Sequence, residues 1–141
     1  MLEITDRPPA PMESIVASSE VANMPEALAT MQACVLRSRN VSYASLNGET
    51  LAVWGLIPPT LLSTSAWVWL LTTRIAAEHK FLVVRYSQRW VEDALRLYDR
   101  LEGVVMVGND SAVRWLRWLG AEFGEPIGRG MPFVIRRRGH G

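Results

Sequence analysis

A strand–helix–strand pattern over residues 102–123 constrains the fold of this 141-residue chain more than any other feature. Residues 104–107 form a compact apolar segment with a glycine on each side, which is typical of a buried strand. Three successive N-cap candidates follow it, and Gly120 stands where a left-handed residue would end a helix. The candidates are Asn109, Asp110 and Ser111. The segment predicts a buried strand, a capped helix over 111–119 and a second strand.

The rest of the chain predicts further helices and strands around this unit. Asn47-Gly48 is a strong signal for a type I′ turn, and the strand after it is apolar on both alternating faces, as expected when both faces are covered. Residues 66–71 are apolar in the same way and predict a central strand. Pro25 fits the first position of a helix. The predicted strands are 2–5, 41–46, 51–57, 66–71, 104–107, 122–127 and 131–137, and the predicted helices are 12–21, 25–37, 74–101 and 111–119.

The long helix over 74–101 is amphipathic, with a charged face that we expect to point to solvent. Its apolar residues share the other face, which we expect to pack on the sheet. These are Phe81, Val84, Val91, Leu95 and Tyr98. The predicted order is therefore β-α-α-β-β-β-α-β-α-β-β, an α/β fold with a mixed sheet and helices on both faces, in a single domain over residues 1–141.

Composition excludes several classes of function. The net charge of +1 gives no support for a nucleic-acid partner, and the longest apolar stretch is too short to span a membrane. No Cys/His/Asp spacing predicts a metal site. The only cysteine, Cys34, lies in a helical pattern and is better explained as a small core residue than as a nucleophile. With no signal-peptide pattern at the N-terminus, we expect a protein of the reducing cytoplasm.

The basic triplet Arg136-Arg137-Arg138 follows an apolar strand and has two interpretations. A basic strand end exposed to solvent explains it without any function, and we favour this interpretation. The alternative is a contact with phosphate or nucleic acid, which an isolated basic run supports only weakly.

The order of elements and the run from Asn109 to Leu119-Gly120 resemble the GNAT N-acetyltransferase superfamily, whose last α/β unit has an Asn after the fifth strand and Leu-Gly-Phe after the helix. Ala121 replaces that Phe here. The Trp-rich helix, Trp115-Leu116-Arg117-Trp118-Leu119-Gly120, is most similar to small GNAT-related proteins of tailed bacteriophages, some of them virion components. The resemblance covers essentially the whole chain.

The resemblance implies an acetyl-CoA site between the fourth and fifth strands, with a Gly-rich turn after the fourth strand that binds the pyrophosphate through backbone amides. The corresponding segment here, TRIAAEHK over residues 73–80, contains no glycine. Arg74 would then meet a phosphate by its charge and Thr72 or Thr73 by a hydroxyl. The alternative, which we favour, is that one of these threonines caps the helix. The residues that the resemblance places at the cofactor are Leu71, Thr72, Thr73, Arg74 and Asn109.

The resemblance also implies an acid for the departing thiolate, in many members a Tyr seven residues after the Asn. That position is Leu116, which has no proton to donate. Glu78 and His79 are the remaining acid–base candidates, although we favour the alternative that they are simply solvated surface residues. Asn109 has a second interpretation as a helix cap, which we favour.

Two functions follow from the sequence. The first is a bacteriophage virion or assembly protein that keeps the GNAT scaffold with a degenerate acetyl-CoA site, present in the host cytoplasm or incorporated into the virion. Its protein partner would bind at Trp118 with Arg114 and Arg117, unless Trp118 packs on the long helix. The second is an active N-acetyltransferase that moves an acetyl group from acetyl-CoA to an amine. We favour the first because the glycine turn and the thiolate acid are both missing.

Overall fold

The computed structural model describes residues 2–19, 21–60 and 62–137, so Arg138 of the basic triplet lies outside the described residues. In this part of the chain, seven strands form one sheet in the order β1-β2-β3-β4-β5-β7-β6, which confirms the mixed α/β fold. The elements are β1 Leu2–Thr5, α1 Met12–Ala17, α2 Ala27–Arg37, β2 Asn40–Leu46, β3 Glu49–Ile57, β4 Ser65–Thr72, α3 Arg74–Glu78, α4 Lys80–Leu97, β5 Arg100–Met106, α5 Asp110–Trp118, β6 Glu122–Phe123 and β7 Gly130–Arg136.

The chain divides into two compact units. The first comprises Met1–Ile57 with Trp69–Val83, and the second comprises Pro58–Val68 with Val84–Gly141. Strand β4 contributes residues to both units. The single domain predicted from the sequence stays a prediction.

The first unit is built on the antiparallel strands β1, β2 and β3 and on helices α1 and α2. Asn47 and Gly48 have φ angles of 52° and 85°, so the predicted type I′ turn between β2 and β3 is confirmed. Both faces of β3 carry buried side chains, as the sequence predicted. One core cluster of this unit consists of Ile15 and Val16 on α1 together with Tyr43, Val53 and Leu71 on the strands.

The second unit contains the only parallel ladder among the described pairings, in which residues 65–67 of β4 pair with residues 100–102 of β5. Strand β7 runs antiparallel to β5 and to β6. The ring of Phe133 lies over Gly103, where an added Cβ would come within 2.5 Å of Cζ. Trp115 of α5 donates from Nε1 to Oγ of Ser87 on α4 at 2.9 Å, which fixes the two helices against each other.

The prediction of one long helix over 74–101 was wrong in two places. His79 has φ −126° and ψ 44° and separates α3 from α4. Helix α4 ends at Leu97, because Arg100 and Leu101 already pair with β7. The strand predicted at 104–107 therefore begins at Arg100. Phe81, predicted to pack on the sheet, is 92% exposed.

Other boundaries also differ from the sequence prediction. Helix α2 begins at Ala27 rather than at Pro25, because Glu26 before it has a left-handed φ of 62°. The first helix ends at Ala17, and β6 contains only Glu122–Phe123. Strand β4 was expected to be covered on both faces, yet Trp67 and Leu70 are exposed.

Candidate functional site

The end of β4 carries three of the predicted cofactor residues, in the first unit. Leu71 is 3% exposed and belongs to the apolar core, so only its backbone is left for a ligand. Thr72 is half-buried. Thr73 is 1% exposed and forms an isolated antiparallel bridge with Ser19. The side chains of Leu71 and Thr73 therefore face the protein rather than an open site.

The hydroxyl of Thr73 is bonded within the fold. Its Oγ1 donates to the carbonyl oxygens of Thr50 at 2.6 Å and Leu51 at 3.2 Å, and its N–H donates to Leu51 at 3.1 Å. The side chain makes no capping bond to α3, although Thr73 occupies the N-cap position. Thr73 is the N-cap residue of α3, as predicted for one of the two threonines, but its hydroxyl ties the end of β4 to β3 instead of bonding to the helix.

The N-terminus of α3 is covered by the end of α1. The backbone N–H of Arg74 donates to the carbonyl oxygen of Ser18 at 3.0 Å, and that of Ala76 donates to Thr73 at 3.1 Å. A phosphate group held at such a turn needs several backbone N–H groups pointing outward. Two of those groups are already bonded to the protein here. The sequence did not predict this contact, since a Ser-Ser pair at the end of a short helix carries no distinctive signal.

The side chains of Arg74 and Glu78 lie exposed at the two ends of α3. His79 is half-buried and its backbone connects the two helices, because its N–H donates to Ala76 and its carbonyl oxygen accepts from Leu82. Glu78 and His79 are adjacent in the chain, and their assignment as acid and base stays a prediction. Within residues 2–19, 21–60 and 62–137, no group of three or more His, Cys, Asp and Glu side chains could hold a metal ion.

Asn109 lies in the second unit and caps α5. Its Oδ1 accepts from the N–H of Ala112 at 3.3 Å, and its carbonyl oxygen accepts from Val113 at 3.1 Å. The interpretation of Asn109 as a helix cap is confirmed. Gly120, with φ 97°, ends the same helix as predicted. Leu116, at the position of the expected thiolate acid, is 8% exposed and belongs to the core.

The exposed side of α5 carries the predicted partner residues. Trp118 is 52% exposed, and Arg114 and Arg117 are exposed beside it. The guanidinium of Arg117 lies over the ring of Phe123 at 5.5 Å from its centroid, a cation–π contact that holds Arg117 in place. We call Arg114, Arg117 and Trp118 the α5 surface.

Cys34 is half-buried on α2. Burial raises the pKa of its thiol above the ordinary value of 9.0, and the charge of Arg37 opposes that shift. A thiol with a raised pKa is a poor nucleophile at neutral pH. The sequence predicted a small core residue, whereas Cys34 is only half-buried and α2 contains no buried residue.

No protein-family model matches this chain, and no curated protein matches it by sequence. Solved structures do resemble it. A putative phosphinothricin N-acetyltransferase superposes with a TM-score of 0.75 at 16% identity, covering 99% of this chain and 100% of that one. The ribosomal-protein-S18-alanine N-acetyltransferase of Escherichia coli gives 0.72 at 14% identity, covering 100% and 97%.

A Bacillus subtilis acetyltransferase solved in complex with CoA has a TM-score of 0.70 at 10% identity, covering 97% of this chain and 98% of that one. An acetyltransferase of the GNAT family from Streptococcus pneumoniae is also similar, with a TM-score of 0.64. The chain therefore has the GNAT fold. At these identities the likeness defines the fold, and chemistry has to be argued from the site.

Proposed function

We propose that this chain is a non-catalytic protein that keeps the GNAT scaffold, holds no acetyl-CoA and acts by binding another protein. In this proposal it is a bacteriophage virion or assembly protein, present in the host cytoplasm or in the particle. The similarity of its Trp-rich last helix to small GNAT-related phage proteins supports that assignment. In the described residues no helix is both long enough and apolar enough to cross a membrane.

The observation that carries the proposal is the hydrogen bond from the Arg74 N–H to the Ser18 carbonyl oxygen. A diphosphate binds where backbone N–H groups converge without protein acceptors, and glycine allows the close approach that this requires. Here the turn has no glycine, one amide is bonded to Ser18, and Thr73 is buried with its hydroxyl bonded to Thr50. Binding acetyl-CoA would require breaking bonds that the fold already makes.

The surroundings of Leu116 support the absence of catalysis. An acyl transfer from a thioester needs a group that protonates the leaving thiolate. Leu116 stands where the resemblance expects that group; it is 8% exposed, belongs to the core and has no proton to donate.

The α5 surface supports binding to a protein partner. Trp and Arg are enriched at protein interfaces, where the indole buries a large apolar area and the guanidinium supplies several hydrogen-bond donors. Trp118 is half-exposed, and the inward contacts of α5 are made by Trp115 and Leu116. The core therefore does not need Trp118. We expect Trp118→Ala to weaken partner binding while leaving the melting temperature nearly unchanged.

Thermal unfolding with acetyl-CoA tests the proposal. We expect no change in melting temperature at millimolar acetyl-CoA, with the E. coli N-acetyltransferase as a positive control measured alongside. A ligand at 100 times its Kd would stabilise the folded state by about 2.7 kcal/mol, which raises the melting temperature by several degrees. Such a rise would contradict the proposal. Absence of the protein from purified phage particles and from assembly intermediates would remove the virion and assembly assignment.

The alternative is an active N-acetyltransferase, and one specific observation favours it. The B. subtilis structure contains CoA and has the same fold over nearly its whole length. In this alternative Arg74 holds a phosphate by charge, and Glu78 or His79 handles the proton. Acetylation of an amine by the wild-type chain, lost in Glu78→Gln or His79→Gln, would establish it.

A further inference from the structure

Two arginines face each other across the antiparallel strands β5 and β7 of the second unit. Arg100 and Arg136 are directly paired in the register, so both side chains leave the same face of the sheet. Their side chains are 47% and 58% exposed. Like charges placed directly opposite each other destabilise a sheet, so this pair has an electrostatic cost that the fold does not require.

Each arginine of this pair has one carboxylate beside it. Glu102 lies 3.4 Å from Nε of Arg100, and Glu122 lies 3.6 Å from Nε of Arg136. Both contacts are longer than a good charge-assisted hydrogen bond, and ion pairs in solvent contribute little. A guanidinium carries five N–H donors. Within residues 2–19, 21–60 and 62–137, Glu102 and Glu122 are the acceptors of these two side chains, which leaves several guanidinium N–H groups for a ligand.

Arg137 lies next to the pair and is held by hydrogen bonds to the end of α4. Its Nε donates to the carbonyl oxygen of Leu95 at 2.6 Å and its Nη2 to that of Arg96 at 3.2 Å, which caps the end of α4. Its Nη1 lies 3.1 Å from Oδ1 of Asp99. The charge of Asp99 is thereby matched by Arg137, so this carboxylate does not compete for Arg100 and Arg136.

An open depression of about 370 Å³ at the surface is lined by Thr64, Asp99, Arg100, Arg136 and Arg137, and we call it the basic cavity. We propose that the basic cavity binds a small phosphorylated anion, with the guanidinium groups of Arg100 and Arg136 as the donors. Planar guanidinium groups bind phosphate oxygens in pairs of parallel hydrogen bonds, and a bridging anion removes the repulsion between the two arginines.

The size of the basic cavity and the net charge of the chain favour a small anion over a nucleic acid. The cavity lies at the low end of the volumes seen for small-molecule sites. The net charge of +1 supplies little of the long-range attraction that a nucleic-acid backbone needs. The proposal is independent of the missing acetyl-CoA anchor, because these residues belong to the second unit and α3 belongs to the first.

Calorimetric titration with inorganic phosphate tests the proposal. The double variant Arg100→Gln/Arg136→Gln is compared with a matched control, Arg85→Gln/Arg89→Gln, which removes the same charge from exposed positions on α4. We expect the site variant to lose affinity about tenfold or more, and the control to bind like the wild type. Circular dichroism and melting temperature check that both variants fold.

The outcomes distinguish binding of a small phosphate anion from binding of a nucleic acid. No phosphate binding by the wild-type chain, or equal loss in both double variants, would overturn the proposal. Binding of a single-stranded DNA oligonucleotide without binding of free phosphate would also overturn it, and would assign the surface to nucleic acid. Phosphate binding that depends on Arg100 and Arg136 supports it.

Discussion

Thr73 lies at the junction of β4 and α3, and its hydroxyl reaches the carbonyl oxygens of Thr50 and Leu51. The next residue, Arg74, gives its N–H to Ser18. Together these bonds connect β3, β4 and the end of α1 at the position where the acetyltransferase resemblance implies a phosphate-binding turn. At the scale of single residues, the Thr73 hydroxyl and the Arg74 N–H are bonded to the protein and stabilise the first unit.

Replacing Thr73 by Val tests this structural role. Val keeps the shape but removes the hydroxyl, which leaves the Thr50 carbonyl oxygen without that donor in a buried place. We expect a loss of about 1–3 kcal/mol in the free energy of unfolding by urea. Thr73→Ser keeps the donor and should lose less. Equal stability of Thr73→Val and wild type would show that the bond contributes nothing.

Tyr43 gives the first unit a dependence on alkaline pH. The side chain is 4% exposed, and burial raises the pKa of its phenol above the ordinary value of 10.0. The folded state then holds the proton more tightly than the unfolded state, so stability is complete below pH 10.0 and falls as the pH rises further. Urea unfolding on both sides of that pH should show the fall, and Tyr43→Phe should lack this part of it. An equal fall in Tyr43→Phe would assign the effect to other groups.

At the scale of elements, α2, β3 and β4 meet at a tightly packed polar contact in the first unit. Trp69 donates from Nε1 to Oγ of Ser38 at 2.6 Å, and Ser38 donates to the carbonyl oxygen of Cys34 at 2.6 Å, near the end of α2. The indole lies against Gly55 of β3, where an added Cβ would come within 2.7 Å of Nε1. Gly55 is therefore required by the close approach of a side chain rather than by a turn.

Replacing Gly55 by Ala should disturb this contact. The new methyl group would push the Trp69 ring and Ser38 apart, and overpacking of this kind costs about 1–3 kcal/mol in the free energy of unfolding. In the double variant Gly55→Ala/Trp69→Leu the clash with the indole is gone and the one with Ser38 Oγ at 2.8 Å is left, so the cost of the alanine should shrink when the two are combined. Purely additive effects in urea unfolding would show that the two sites do not interact.

The cap of α5 is a second test at this scale. Asn109→Ala removes the acceptor for the N–H of Ala112, and we expect a loss of about 1 kcal/mol in the free energy of unfolding. Asn109→Asp keeps an acceptor and should retain most of the stability. A loss far above that of an ordinary cap would indicate a further role for Asn109.

At the scale of the whole molecule, local signals predicted the order of elements, because turn residues and apolar alternation act over a few neighbours. Asn47-Gly48, Asn109 and Gly120 each set a turn or a helix end as expected. The break at His79 was not predictable, since the amphipathic pattern continues through it. The hydrogen bond between Arg74 and Ser18 was not predictable for another reason. It joins residues far apart in the sequence, and the residues around each of them carry no pattern that indicates such a contact.

This chain has the GNAT fold, and its segment over residues 73–80 lacks the glycines of a phosphate-binding turn. The same scaffold serves acetyltransferases, as in the CoA complex from B. subtilis, and scaffolds outlast particular chemistries. In our proposal, a binding scaffold differs from an enzyme in whether the Arg74 amide at the start of α3 is free to bind a phosphate. The state of this one backbone group can be observed directly.

Amide NMR of Arg74 measures that group most directly. Because its N–H is bonded to the Ser18 carbonyl oxygen, we expect slow exchange with solvent deuterium and no change in its resonance on titration with acetyl-CoA. The exposed amides of the same spectrum serve as internal references. Rapid exchange at Arg74, with a saturable shift of its resonance as acetyl-CoA is added, would contradict the account and indicate a working cofactor site.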